Sequence, residues 1–182
     1  MKKTAVFFAP GFEEIEALTV VDVLRRADIE TLMVSVGDDL LVEGSHRIAV
    51  RMDTAIAALD FSGIDMIILP GGPGVAALEA CAPLMEQVDA FHAAQKPLAA
   101  ICAAPGILGR RGILAGRAAC SYPSVEGDLR GATVGKEAAI RDGHIITARG
   151  MGCSVDFALA IVAFFQGQEA TRELAEKIIF NA

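Results

Sequence analysis

Lys96-Pro97-Leu98-Ala99-Ala100-Ile101-Cys102-Ala103-Ala104-Pro105-Gly106-Ile107-Leu108 decides how the rest of the chain is read. The apolar run Leu98–Ile101 predicts a strand buried on both faces. It meets Cys102 without a spacer, small residues follow, and a helix-like run then begins. Strand, cysteine, helix is the order of a nucleophile elbow, with a thiol in place of a hydroxyl. Such a turn pushes the side chain out beside free backbone N–H groups. Those donors and the following helix N-terminus favour a thiolate. The plain alternative is an inert core cysteine, since free Cys is among the most buried residue types.

Outward from the elbow, strands and helices alternate. Lys3–Ala9 predicts a strand, Pro10-Gly11 a turn, and Glu13 to about Ala27 a helix with acids in its first turn and Arg25-Arg26 in its last. Thr31–Val36 predicts the next strand, and Leu40–Glu43 with Ile48–Arg51 a hairpin around Gly44. Asp65–Leu69 reads as a buried strand entering the loop Pro70-Gly71-Gly72-Pro73-Gly74, with a helix over about Pro83–Ala94. After the elbow come a helical stretch at Ile107–Arg111, a strand at Ala118–Ser121, and a hairpin of Lys136–Arg141 and His144–Thr147 on Asp142-Gly143. Ser154–Phe165 and Glu169–Phe180 predict two closing helices, with Gly167 between them. Continuously apolar strands alternating with helices specify one α/β domain over residues 1–182, a mostly parallel sheet covered on both faces. Ligands bind such sheets at the carboxyl ends of the strands. Cys102 and Gly71-Gly72 both follow strands directly, so they share that edge.

Composition narrows the function. The chain has 182 residues, 53% hydrophobic, with mean hydropathy +0.47. No apolar run approaches the roughly 20 residues of a membrane span. Pro10, Gly11 and the acids Glu13, Glu14 and Glu16 interrupt the N-terminal apolar run, so a cytoplasmic protein without a signal peptide is expected. The net charge is −7 and no basic block occurs, which argues against nucleic acid as a partner. Cys81, Cys102, Cys120 and Cys153 lack zinc-ribbon and CxxC spacing, so four free thiols are expected. His46, His92 and His144 are scattered, and no metal or cofactor is expected.

Other residues are weighed beside Cys102. Gly71-Gly72 fits a turn needing positive φ, or an oxyanion hole in which a backbone N–H approaches whatever sits on the thiol. Its spacing is not that of a dinucleotide or phosphate loop. Glu13, Glu14 and Glu16 are explained as favourable charge at a helix N-terminus. Glu14 and Glu16 both have apolar helical neighbours that could raise a carboxyl pKa, so periodicity does not choose between them. Tyr122, the only tyrosine, fits a packed aromatic before Pro123. Cys153 precedes a helix and is the second choice for a reactive thiol. Cys120 reads as core, and Cys81 shows no sign of activation.

Taken in order, Gly11-Phe12-Glu13-Glu14-Ile15-Glu16, Asp22-Val23-Leu24-Arg25-Arg26-Ala27, Leu69-Pro70-Gly71-Gly72, Ala99-Ala100-Ile101-Cys102-Ala103-Ala104-Pro105 and Asp156–Val162 resemble the DJ-one/ThiJ/PfpI superfamily, most closely its DJ-one/ThiJ branch. The resemblance implies a flavodoxin-like doubly wound sheet sandwiched by helices, similar to class I glutamine amidotransferases, and a homodimer. It selects Glu16 as the acid partnering Cys102, held protonated and hydrogen-bonded to the thiolate. It implies Gly72 and Ala103 as backbone donors to the bound group, Gly71 and Tyr122 as pocket residues, and Arg47 as an arginine approaching the neighbouring subunit's site. Ala103 stands where the protease-like branch has histidine, and Tyr122 where several DJ-one members have histidine. Met151 replaces a proline common in the Gly-x-Gly segment.

The resemblance thus implies a cofactor-independent glyoxalase or deglycase acting on a small dicarbonyl or glycated substrate, through a Cys102 hemithioacetal with Glu16 as proton shuttle. The alternative is a redox-sensing protective protein or chaperone in which Cys102 oxidises to the sulfinate. A cysteine protease or amidase ranks last, because a Cys–His mechanism needs a histidine base.

Overall fold

The computed structural model describes residues 2–180. In chain order the elements are β1 (Lys3–Phe8), α1 (Glu14–Arg26), β2 (Glu30–Ser35), β3 (Leu41–Glu43), β4 (Ala49–Arg51), β5 (Thr54–Ala55), β6 (Met66–Leu69), α2 (Val75–Ala80), α3 (Ala82–Ala93), β7 (Leu98–Ile101), α4 (Pro105–Arg110), β8 (Ala118–Ala119), β9 (Thr133–Val134), β10 (Ala139–Asp142), β11 (Ile145–Ala148) and α5 (Ser154–Lys177). A seven-stranded sheet runs β10-β11-β7-β6-β1-β2-β5, and only its β10–β11 pairing is antiparallel. Its five central parallel strands, taken in chain order, lie 2-1-3-4-5, which is the flavodoxin-like order. The strand order reverses between β1 and β6, and ligand sites in such sheets open beside that point.

Both faces of the sheet are buried, as the apolar runs require. Along β1, Ala5 and Phe7 join the cluster beneath α2, α3 and α4, while Val6 and Phe8 join the cluster beneath α1 and α5. This two-residue alternation with apolar residues at every position is the signature of a strand covered on both sides. α5 is apolar enough in length and composition to cross a membrane. Instead, Phe157, Ala158, Ile161 and Val162 on this helix are buried in the second cluster, on the face of the sheet that α1 shares.

Several expectations change. The two closing helices form one kinked element: Gly167 departs from helical geometry (φ 85°, ψ 177°), and the helix ends at Lys177 rather than Phe180. The six-residue α2 fills part of the stretch between the Pro70–Gly74 loop and the helix expected from Pro83, where the sequence predicts no element, and Leu78 anchors it in the core. The strand at Ala118–Ser121 shrinks to β8, which pairs in parallel with β9 outside the main sheet. β5 extends the far edge of the sheet beyond β2.

Candidate active site

β7 delivers Cys102 to the carboxyl edge of the sheet. The Cys102 N–H donates to the Ala148 carbonyl at 3.0 Å, and its own carbonyl accepts from Tyr122 N–H at 2.8 Å. Between these anchors the residue is held at φ 65°, in the left-handed region that L-residues avoid. Strain of this kind costs roughly 1–3 kcal/mol and persists where its surroundings impose it. The half-buried side chain emerges beside the backbone N–H groups of Ala103 and Gly72, both of which act on the sulfur to lower its proton affinity. α4 begins only at Pro105.

Glu16 reaches the same point from the first turn of α1 and is fully buried. The Gly71 N–H donates to its Oε2 at 2.9 Å, while Oε1 is buried without a hydrogen-bond partner of ordinary geometry. Burial dominates its titration and raises the carboxyl to about 7, against hydrogen bonding with Cys102 and Gly71, while the charge on Glu13 adds to the rise. Gly71 must be glycine: a Cβ there would sit 2.6 Å from Cys102 Cβ, 2.6 Å from Glu16 Oε2 and 3.1 Å from Cys102 Sγ. Gly72 must be glycine for its backbone, at φ 90°, and because a Cβ would lie 2.6 Å from the Glu13 nitrogen.

The backbone donors do not act on the thiol alone. Burial, then the charge and the hydrogen bond of Glu16, push Cys102 up to about 12, outweighing the Ala103 and Gly72 donors that pull it down. The donors alone therefore do not make a thiolate. Two of the three opposing effects, however, require an anionic Glu16. A protonated Glu16 carries no charge and turns from acceptor to donor toward sulfur. Cys102 and Glu16 are thus one coupled pair, and the state of the sulfur depends on which partner holds the proton.

Glu14, also buried, has the opposite fate. Despite burial, hydrogen bonds from the His46 side chain and backbone and from Ser45 hold its carboxyl at about 2. The His46 N–H donates to Oε1 at 2.7 Å, and Ser45 Oγ and His46 Nδ1 lie 3.1 and 2.9 Å from Oε2. Gly44 makes room for this contact, since a Cβ there would fall 2.3 Å from Glu14 Oε1. The carboxylate clasps the tip of the β3–β4 hairpin onto α1. Its partners lie 31 and 32 residues away in sequence, so no local pattern announces them. Glu13, Glu14 and His46 have ligand atoms within 4.8 Å of one another, the only group of three or more potential metal ligands among the described residues, yet Glu14 is already committed to the clasp.

The remaining candidates are dispersed or peripheral. Tyr122 is 51% exposed at the rim. Gly150, which sequence reading did not single out, lies between this ring and the thiol: a Cβ there would be 3.5 Å from Tyr122 Cδ2 and 4.0 Å from Cys102 Sγ. Arg47 is exposed at the hairpin tip at φ 65°, and its guanidinium makes no hydrogen bond among the described residues. Cys153 is half-buried before α5, Cys120 is buried against Thr147, and Cys81 is half-buried; all four cysteines are free thiols.

The chain and its fold have counterparts among known proteins. Residues 2–164 match the family model of the DJ-1/PfpI family. Protein dj-1beta of Drosophila melanogaster is 32% identical over 181 residues, spanning 98% of this chain and 97% of the relative. The glutathione-independent glyoxalase DJR-1.2 of Caenorhabditis elegans is 30% identical, covering 97% and 96% of the two chains. Among solved structures, oxidized Toxoplasma gondii DJ-1 superposes with a TM-score of 0.95 at 30% identity, covering all of both chains. Drosophila DJ-1beta superposes at 0.92 and 31% identity, over 100% of this chain and 99% of that one.

Proposed function

The chain belongs to the DJ-1/PfpI family, and from that premise we propose that it is a cytoplasmic, cysteine-dependent, cofactor-independent enzyme of glyoxalase or deglycase type. The observation that carries the reading is the buried Glu16 carboxyl, raised to about 7, coupled to Cys102 on a strained elbow beneath two backbone donors. An acid with that proton affinity can both give and take a proton near neutral pH.

With the proton on Glu16, the Cys102 thiolate attacks the aldehyde carbon of methylglyoxal, and the C=O electron pair becomes an alkoxide. Gly72 and Ala103 N–H groups steady that oxyanion, and Glu16 protonates it to the hemithioacetal. Glu16, now a carboxylate, removes the hydrogen from the same carbon and returns it to the adjacent one through an enediol. The result is a thioester of lactic acid on Cys102. Water cleaves it, releasing lactate and restoring the pair with its single proton. The sum is methylglyoxal plus water to lactate and a proton, so no redox partner is needed. Glycated adducts that present the same carbonyl enter the same sequence. No histidine is required.

The test is lactate formation from methylglyoxal in the absence of glutathione. The reading expects turnover that Cys102→Ser abolishes; purified protein forming no lactate, or an equally active Cys102→Ser variant, refutes it. A second reading is favoured by the same sulfur donors. Two equivalents of peroxide would carry Cys102 through sulfenate to sulfinate, each losing one water, with a protonated Glu16 donating to the product. Intact-mass analysis after mild peroxide treatment should then show two added oxygens on Cys102 rather than on Cys153 or Cys81. A homodimer is part of the proposal. Ile15, Ile48 and Met151 are about half-exposed around a cavity of 220 Å³ beside the site, an apolar surface that a second copy could cover. Sedimentation at micromolar concentration tests it, and a monomer there refutes it.

A further inference from the structure

At the opposite end of the sheet from Cys102, two imidazoles lie together. His92 is in the last turn of α3, and His144 immediately precedes β11, its carbonyl accepting from Leu98 N–H at the start of β7. The ring centroids are 5.7 Å apart with the planes inclined by 32°. Nδ1 of His92 and Nε2 of His144 are both buried, and neither has a hydrogen-bond partner among the described residues. One unpartnered buried nitrogen is costly, and here there are two, on neighbouring rings.

We propose that His92 and His144 form a two-imidazole site for a divalent transition-metal ion of the zinc, nickel and copper class. Metal–nitrogen bonds of about 2.0–2.1 Å in a tetrahedral or slightly wider arrangement put the two ring centroids roughly 5–6 Å apart, and the observed separation lies within that range. Imidazole nitrogen selects these metals over magnesium or calcium, which take oxygen. Nearby formal charges are already neutralised in pairs, Arg117 with Asp142 and Arg111 with Asp89. A bound ion would tie the end of α3 to the β10–β11 hairpin, a tertiary link between the helical layer and the antiparallel edge of the sheet. Its effect falls on stability, with the thiol chemistry at the other edge left alone.

The test is calorimetric titration of the full chain with Ni²⁺ after carbamidomethylation of its thiols, together with thermal unfolding at rising Ni²⁺. One ion per chain is expected, with a midpoint that climbs with metal concentration. His92→Ala and His144→Ala should each weaken binding by at least about tenfold, and His46→Ala should leave it unchanged. As a check that needs no substitution, Ni²⁺ should broaden the imidazole resonances of His92 and His144 before those of His46. Three results overturn the proposal. They are no saturable binding up to about 1 mM, binding retained in the His92→Ala/His144→Ala double variant but lost in His46→Ala, and a proton shared between the two rings that Ni²⁺ does not displace.

Discussion

Gly71→Ala is the most local perturbation of the Cys102–Glu16 pair. The backbone at Gly71 is not in the left-handed region, so alanine is allowed there by its dihedrals. Its methyl group is not allowed by space. The added carbon would stand 2.6 Å from Cys102 Cβ and 2.6 Å from Glu16 Oε2, with Sγ at 3.1 Å. Ordinary carbon contacts begin near 3.5 Å, so both partners must retreat by roughly 0.5–1 Å. The Gly71 N–H that holds Oε2 at 2.9 Å shifts with them. A misplacement of about 1 Å at reacting groups costs on the order of a hundredfold in rate, and overpacking of this kind costs about 1–3 kcal/mol of stability. The assay pairs the alkylation rate of Cys102 at pH 7, read by mass spectrometry, with methylglyoxal turnover and urea unfolding. Gly152→Ala is the control, since nothing lies within 4 Å of a Cβ there and its φ is not positive. If Gly71→Ala alkylates at the wild-type rate while remaining folded, the pair is not held as described.

Other outcomes follow from the same contacts. Glu14 is depressed from 4.5 to about 2 in the folded chain, so its clasp contributes stability above pH 4.5 that is lost as pH falls toward 2; Glu14→Gln should flatten urea midpoints across that window. Glu16 has the opposite sign. Raised from 4.5 to about 7, its carboxyl makes the folded Cys102–Glu16 pair bind more protons than the unfolded chain in that window, so wild-type stability declines as pH rises through it; Glu16→Gln should lose that decline and turnover with it. Gly167→Ala places a side chain at φ 85°, ψ 177°, a region nearly confined to glycine, and should lower stability by about 1–3 kcal/mol without changing Cys102 alkylation.

The elbow was legible because its cause is local. Leu98–Ile101 runs straight into Cys102, and the small residues that follow permit the turn. The parallel sheet covered on both faces was legible for the same reason, each strand being an uninterrupted apolar run, while its flavodoxin-like order came from the resemblance. The choice among Glu13, Glu14 and Glu16 was not legible from periodicity. Glu14 and Glu16 share one helical turn and are both buried, and what separates them lies across the fold. Glu16 meets the N–H of Gly71, 55 residues away, whereas Glu14 meets the hairpin tip at Ser45 and His46. Only the family resemblance singled out Glu16 beforehand. Gly150 went unnoticed because its role depends on β11 delivering it beside Cys102 and Tyr122. The N–H donors beside the elbow are local and were legible, while the burial and the neighbouring carboxyl that oppose them are not local and were not.

The central claim is that Cys102 and Glu16 share one proton and that near neutrality it resides on Glu16. The pH dependence of Cys102 alkylation measures this directly. The account predicts a reactive thiol at pH 7, with a midpoint below the ordinary cysteine value of 9.0 and an upward move of at least about one unit in Glu16→Leu, where burial remains but the donor is gone. A thiol that stays inert at pH 7 and titrates near 12 would put the proton on sulfur and contradict it.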